Sequence, residues 1–346
     1  MKTPPVDFAK DLISKLEQID HFLQSKKYKE ALAEIRDFES SRHLDKIPSH
    51  ELSQFYYYKV CVLHFLGNYN EALEIGEKVF SSIQNKGEDS KIAHLQHVLG
   101  LIHLSLGNLE NAESEIRDAL TGFRRISNFK GIINTLSKLA FIEAMKGNYQ
   151  RSVKFLSDAL EYCNQTDQIV HKAILYGNLG DRFLMMGKWN EAEENLLRNI
   201  ELNEKANDEV NLCRGLLSLG YIYFLKREFK LSSETYTKSF ALVEKNNCVR
   251  ELAIYHEFFG ELEFTQGNHE IARKHYLEAI AIGEKIAPDG DIISQTYRLL
   301  AEVQIAEKQY DEALSSCEKA LKVAESLGER IEIGAIHPGI GADLYH

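Results

Sequence analysis

Residues that interrupt helices are scarce in this 346-residue chain, which has five prolines and 21 glycines, too few for a loop-rich or disordered protein. The five cysteines, Cys61, Cys163, Cys213, Cys248 and Cys317, are odd in number and far apart. No two have metal-ligand spacing, a usage that fits a reducing compartment. No stretch approaches the ~20 consecutive apolar residues needed to span a bilayer, and Met1 to Lys10 holds no apolar run of signal-peptide length. These absences predict a soluble cytoplasmic chain without a membrane partner. Basic charge is also short. Lys and Arg number 41 against 52 Asp and Glu, a net charge of −11, which leaves no phosphate-binding footprint and argues against direct nucleic-acid contact. The short run Lys26-Lys27-Tyr28-Lys29 reads as a solvated turn.

Motifs of catalysis and cofactor binding are missing too. There is no Gly-x-x-x-x-Gly-Lys-Ser/Thr and no Gly-x-Gly-x-x-Gly. Pro288-Asp289-Gly290-Asp291 lacks the alternating ligands and terminal Glu of a calcium loop and reads as a tight turn. His94, His97 and His103 share a helix without further ligands, so interface histidines are expected rather than a metal site. The abundant carboxylates read as exposed helix faces. The expectation is a non-enzymatic protein with no cofactor and no metal.

What is present is a repeat. Gly187-Lys188-Trp189-Asn190-Glu191-Ala192 recurs as Gly67-Asn68-Tyr69-Asn70-Glu71-Ala72, Gly107-Asn108-Leu109-Glu110-Asn111-Ala112 and Gly147-Asn148-Tyr149-Gln150-Arg151-Ser152, and more loosely around Phe229, His269 and Tyr310. The aromatic slot falls at Tyr28, Tyr69, Leu109, Tyr149, Trp189, Phe229, His269 and Tyr310, in steps of 40 or 41. A period this regular means one supersecondary unit stacked on itself. Each unit reads as helix A, a turn and helix B. Seven positions before the turn stands a small residue, Gly100, Ala140, Gly180, Gly220, Gly260 or Ala301, preceded by a large apolar one. Twelve positions further on stands another, Ala112, Ser152, Ala192, Ser232, Ala272 or Ala313. Glycine inside a helix costs roughly 0.5–1 kcal/mol against alanine, so its recurrence at one slot implies a close helix crossing. A third small residue, Ala119, Ala159, Ala279 or Ala320, admits the next unit's helix A. The turn glycine suits a left-handed residue, the following Asn is placed to cap helix B, and Asn68 with Glu71 has capping-box spacing.

The pattern resembles the tetratricopeptide repeat (TPR), most clearly in Tyr176-Leu179-Gly180-Phe183-Ala192-Leu196 and Leu216-Leu219-Gly220-Tyr223-Ser232-Tyr236. The family's usual unit is about 34 residues. The longer period here implies helices of about 17 residues, or about 25 Å, and resembles the bacterial regulatory members. The resemblance implies an all-α, right-handed superhelical α-solenoid of antiparallel helix pairs. Residues 1–330 are expected to form eight helix-pair repeats. Residues 331–346, with a small residue at Gly341 and Pro338 inside, are expected to be the incomplete first helix of a ninth, as in a fragment of a longer protein.

The resemblance further implies a partner-binding concave groove lined by set positions of helix A. Transferred slot by slot these are His94 and His97; Asn134, Ser137 and Phe141; Asn178 and Asp181; Arg214 and Tyr221; Glu257, Glu261 and Phe264; and Arg298 and Glu302. The later slots are acidic, which favours a protein or peptide with basic residues. Only Asn178 and Arg214 match the family's chaperone-tail clamp, so that ligand is not expected. The stretch from Tyr255 to Arg330 is similar to the TPR arm of enhancer-binding transcription activators that work with an alternative sigma factor, which implies a regulatory or sensory arm and an effector domain beyond the C-terminus. The alternatives are a peptide-responsive regulator of the Gram-positive quorum-sensing kind and a free-standing assembly adaptor.

Overall fold

The computed structural model describes residues 8–40, 49–84, 88–166, 168–327 and 336. The chain divides into two compact units, Met1–Asp167 and Gln168–His346. The first contains α1 (Phe8–Gln24), α2 (Tyr28–Ser40), α3 (Ser49–Phe65), α4 (Tyr69–Ile83), α5 (Asp89–Ser105), α6 (Leu109–Arg125), α7 (Phe129–Met145) and α8 (Tyr149–Asn164). The second contains α9 (Ile169–Met185), α10 (Trp189–Ala206), α11 (Glu209–Leu225), α12 (Phe229–Asn246), α13 (Val249–Thr265), α14 (His269–Ile286), α15 (Asp291–Ala306) and α16 (Tyr310–Leu327). Among the described residues there is no strand. Each unit is an α-solenoid stack of helical hairpins in which every odd-numbered helix packs on the one that follows. The aromatic slot of the repeat is the first residue of each even-numbered helix. Residues 328–335 and 337–346 lie outside the described part, and with them most of the segment assigned above to a ninth repeat.

The two kinds of helix differ in how much of their surface is covered. In α6 the buried residues Ala112, Ile116, Ala119, Leu120 and Phe123 form one stripe at helical spacing, opposite a charged face. In α7, which packs on α8 and on the preceding α6, ten residues are buried on more than one side. Its apolar residues accordingly fall on more than one side, which blurs the periodicity that makes the even-numbered helices legible.

The small-residue slots sit at the crossings. A Cβ on Gly100 would lie 2.6 Å from Ile116 Cγ1, on Gly180 2.7 Å from Leu196 Cγ, and on Gly260 2.7 Å from Tyr276 Cε1. Across the crossing Ala112, Ala192 and Ala272 are fully buried. Where serine replaces alanine, its hydroxyl is satisfied on the same crossing: Ser152 donates to the Ala140 carbonyl at 2.7 Å and Ser232 to that of Gly220 at 2.8 Å.

The hairpin turn closes by paired backbone bonds. Gly67 N–H donates to the His64 carbonyl at 3.1 Å and Asn68 N–H to that of Leu63 at 2.9 Å, the Schellman arrangement, with Gly67 at φ +79°. The asparagines that follow these glycines do not cap the next helix, contrary to the sequence expectation. Asn68, Asn108, Asn148 and Asn268 make no side-chain cap bond. Asn148 and Asn268 instead donate to Glu143 and Glu263 of the preceding helix, at 3.1 and 2.7 Å. One residue here closes one helix and opens the next, and its backbone (φ −83°, ψ 58° at Asn68) departs from the extended geometry of a cap. Glu71 lies beside Lys59 rather than completing a capping box. Side-chain caps occur between hairpins, where Asn128 accepts from Gly131 N at 3.0 Å and Asp208 from Asn211 N at 3.1 Å. Asn128→Ala is expected to lower stability by about 1 kcal/mol in urea denaturation, whereas Asn108→Ala, which loses no cap bond, is expected to change it far less.

Candidate functional site

In the first unit the five groove candidates divide by what already engages them. His94 Nδ1 faces the Ser90 carbonyl at 2.8 Å, and the rings of His94 and His97 meet Phe123 edge-on, centroids 4.8 and 6.3 Å away. Burial, followed by the charges of Lys138 and His94, lowers the His97 imidazole to about 4, so it is neutral at ordinary pH. Ser137 donates to the Ile133 carbonyl of its own helix at 2.8 Å, and Asn134 is half-buried. Phe141 alone is prominently exposed.

The second unit brings its candidates into two groups. The first is a cavity of about 250 Å³ between α9 and α11, floored by α10. Asn178 and Asp181 of α9 and Arg214 of α11 line it with Asn211 and Ser218. Ser218 Oγ donates to Asp181 Oδ1 at 3.2 Å. Burial raises the Asp181 carboxyl above the usual carboxylate range, against the pull of Arg182 and of the Ser218 bond. Arg214 Nε donates to Glu251 Oε1 of α13 at 2.5 Å. The floor residue is Asn199, flanked by Gly177 and Gly215.

The second group lies on α11, α13 and α15. Tyr221 stacks on Phe258 at 4.7 Å and 20°. Arg298 Nη1 donates to Glu302 Oε1 at 2.6 Å. Burial pushes the Glu261 carboxyl up to about 7, with Arg298 pulling it down and Glu302 pushing it further up. The phenols of Tyr221, Tyr236 and Tyr276 are raised first by burial and then by the carboxylates of Glu257 and Glu261. The Tyr236 and Tyr276 hydroxyls are fully enclosed, that of Tyr236 beside Ser232, and that of Tyr276 makes no hydrogen bond within the protein. Glu257 differs from the sequence picture of a solvent-facing groove acid, being only 5% exposed. Phe264, at the end of α13, packs on His269 at 5.2 Å.

Sequence reasoning did not find Asn199, Glu251, Tyr236 or Tyr276, all on elements or slots assigned to packing. The signal for Asn199 was present. It occupies the slot that holds alanine in four other repeats. Among the described residues no group of three or more His, Cys, Asp or Glu is placed to hold a metal ion, and no helix is long and apolar enough to cross a membrane.

Helical hairpins on a fixed period, with small residues at every crossing and an unevenly charged face on the odd-numbered helices, define a tetratricopeptide-repeat interaction scaffold, and the tetratricopeptide repeat model matches residues 93–121. The chain belongs to the MalT-like TPR region family, whose model matches residues 138–331. No curated protein matches its sequence. Among solved structures it is similar to the apo form of the quorum sensor NprR from B. thuringiensis, with a TM-score of 0.76 and 16% identity over 92% of this chain and 88% of that one. It is also similar to a Rap protein complexed with competence and sporulation factor (TM-score 0.68, 16% identity, 95% of this chain and 89% of that chain). Aspartyl phosphate phosphatase F from Bacillus subtilis matches with a TM-score of 0.58 and 12% identity over 100% of this chain and 96% of that one. Identities this low establish a shared fold.

Proposed function

We propose that the chain is the interaction arm of a bacterial signalling or transcription regulator, holding a peptide or helix with basic residues against the odd-numbered helices of the second unit. The observation that supports this most directly is the charge imbalance on α13 and α15. Glu257, Glu261 and Glu302 stand there with Arg298, beside the stacked Tyr221 and Phe258, while Arg250 of α13 is held by Asp291. Carboxylates held partly out of water gain more from a cation than solvated ones do, while the aromatic pair supplies apolar contact. Charge of this kind sets orientation and association rate as well as affinity. A regulator that uses such an arm couples partner binding to a second state of its effector.

A second reading, a peptide-responsive regulator like the quorum sensors named above, draws on the polar cavity between α9 and α11, which is of side-chain dimensions. A free-standing adaptor would use the same faces without an effector. No group assembled at either site argues for catalysis. The phosphatase name borne by one fold neighbour belongs to that protein.

The test uses two labelled amphipathic helical peptides, one with a Lys/Arg face and one with Glu in the same positions, followed by fluorescence anisotropy at low and high salt. The basic peptide is expected to bind, to weaken with salt, and to weaken roughly tenfold when Glu257 and Glu261 are both replaced by glutamine. The neutral amide is the suitable probe, because lysine at the enclosed position 257 would bury an ammonium. Equal binding of the acidic peptide, or no loss in the double variant, overturns the reading.

A further inference from the structure

Asn199 breaks the repeat. The equivalent residue is Ala119, Ala159, Ala279 or Ala320 in other hairpins and Ser239 in the next one. Ser239 Oγ donates to the Cys213 carbonyl at 2.9 Å, and Asn199 Nδ2 makes the corresponding bond to the Ala173 carbonyl at 2.8 Å. A serine would therefore do that work. The asparagine leaves one atom over, its Oδ1, in a side chain that is 4% exposed, and this oxygen accepts no hydrogen bond from the protein. The opposite amide orientation would set Oδ1 against a carbonyl, so the surplus atom is the acceptor.

The two neighbouring helices make room for it. A Cβ on Gly177 would lie 2.9 Å from Asn199 Nδ2, and one on Gly215 would collide with Oδ1. Three departures from the repeat thus coincide at one crossing, two of them glycines in helix interiors. Their joint result is an unpaired acceptor whose burial is unfavourable. Nothing in the packing of the hairpin requires it, because alanine serves in that slot elsewhere.

Asn199 lines the floor of the cavity of about 250 Å³ between α9 and α11. Several donors around the cavity are engaged within the protein, and Arg214 keeps further Nη N–H groups. Ser218 donates to Asp181, Asn211 Nδ2 donates to Asp208 Oδ2 at 2.7 Å, and Arg214 Nε donates to Glu251. Arg214 Nη1 faces Asn211 Oδ1 at 3.5 Å, and the side chain is otherwise 57% exposed. The lining acceptor without a partner is Asn199 Oδ1. Asn178 adds two N–H donors and one acceptor oxygen. A buried acceptor without a partner and a carboxyl in a desolvated place match a ligand that brings N–H donors and positive charge.

We propose that this cavity is a seat for one N–H-rich cationic head, an alkylammonium or a guanidinium, held by Asn199 Oδ1 and Asp181. Its residues are other than the acidic face of α13 and α15, so the assignment goes beyond the helix-binding reading and stands apart from it.

The test is an NMR titration of the full chain with two cations, n-butylammonium and Nα-acetyl-arginine methylamide, and with neutral Nα-acetyl-norleucine methylamide as control. Both cations are expected to shift the amide signals of Gly177, Asn199 and Gly215, and the control is not. Binding by butylammonium as well as the blocked arginine identifies a free amine as sufficient. Binding by the blocked arginine alone identifies the side chain of a peptide. Asn199→Ala is expected to lose roughly a factor of ten or more in affinity while its denaturation midpoint rises, since the unpaired acceptor is gone. Asp181→Asn is expected to lose a comparable factor and provides the same test should the first variant not fold. Glu257→Gln with Glu261→Gln is expected to leave these affinities unchanged, which separates this site from the proposed helix-binding face. No binding of either cation by the parent, equal binding of the neutral control, undiminished binding in Asp181→Asn, or an Asn199→Ala variant that folds with a lower midpoint overturns the assignment.

Discussion

Replacing Gly180 by leucine is expected to destabilise the α9–α10 hairpin by about 1–3 kcal/mol or more, the range for overpacking a close-packed site. A Cβ alone would lie 2.7 and 2.8 Å from Leu196 Cγ and Cδ2 and 3.4 Å from the Ala192 carbonyl. The three further atoms of leucine, Cγ and two Cδ, can enter only if the helices separate, which uncovers the fully buried Ala192 and Leu196 behind them. Gly187→Ala supplies the control. Gly187 has φ +68° and nothing within 4 Å of its Cβ position, so that substitution costs only the left-handed backbone, roughly 1 kcal/mol. Repeat stacks are stabilised by nearest-neighbour contacts, so the loss should concentrate in one hairpin. Hydrogen exchange of α9 and α10, read beside urea denaturation, resolves it. A Gly180→Leu variant as stable as Gly187→Ala would mean that the two helices do not cross at this residue.

The turn and the crossing were legible because both write a residue type at a fixed interval. Gly67, Gly107, Gly147, Gly187 and Gly267 all take positive φ, and where the repeat puts Arg227 or Lys308 the backbone does the same without glycine. Periodicity therefore reports geometry even where composition fails. The cavity was not legible, for a physical reason. Gly177 and Gly215 are visible in the sequence, but the side chain that requires them comes from α10, and their meeting exists only once three helices are packed. Glu257 illustrates the opposite failure. A carboxylate on the helix A face suggests solvent, whereas Glu257 has almost no exposed surface, and its charge is felt by the phenols of Tyr221 and Tyr236 from α11 and α12. Helix capping failed locally. A residue that both ends one helix and starts the next has its backbone set by the turn, and the asparagine side chain follows that backbone to the earlier helix.

Glu261→Gln is expected to change both the magnitude of stability and its dependence on pH. In the folded chain the carboxyl titrates near about 7, because burial outweighs the attraction of Arg298 and Glu302 adds repulsion. In the unfolded chain it titrates near about 4.3. Between these values the folded state holds the proton and the unfolded state has lost it, so stability falls as pH rises from about 4.5 to about 7 and is level above that. The difference is on the order of 3 kcal/mol. Glutamine carries no such term. The variant should therefore match the parent near pH 4.5 and exceed it at pH 8, and subtracting the two curves removes every other titrating group. The groups facing Glu261 are the phenols of Tyr221, Tyr236 and Tyr276, the carboxylates of Glu257 and Glu302, and the guanidinium of Arg298. Among them Arg298 is the sole cation, and it already donates to Glu302. A lysine or arginine from a partner would supply a second cation, stabilise the carboxylate and draw the proton off. Binding of the basic peptide to the parent should then strengthen between pH 6 and 8 with release of a proton, measurable by calorimetry in buffers of different ionisation enthalpy, and Glu261→Gln should abolish that linkage. A parent and variant with parallel stability curves from pH 4.5 to 8 would mean that the Glu261 carboxyl is solvated, and the acidic face would then lack the desolvated charge that makes it a site for a cation.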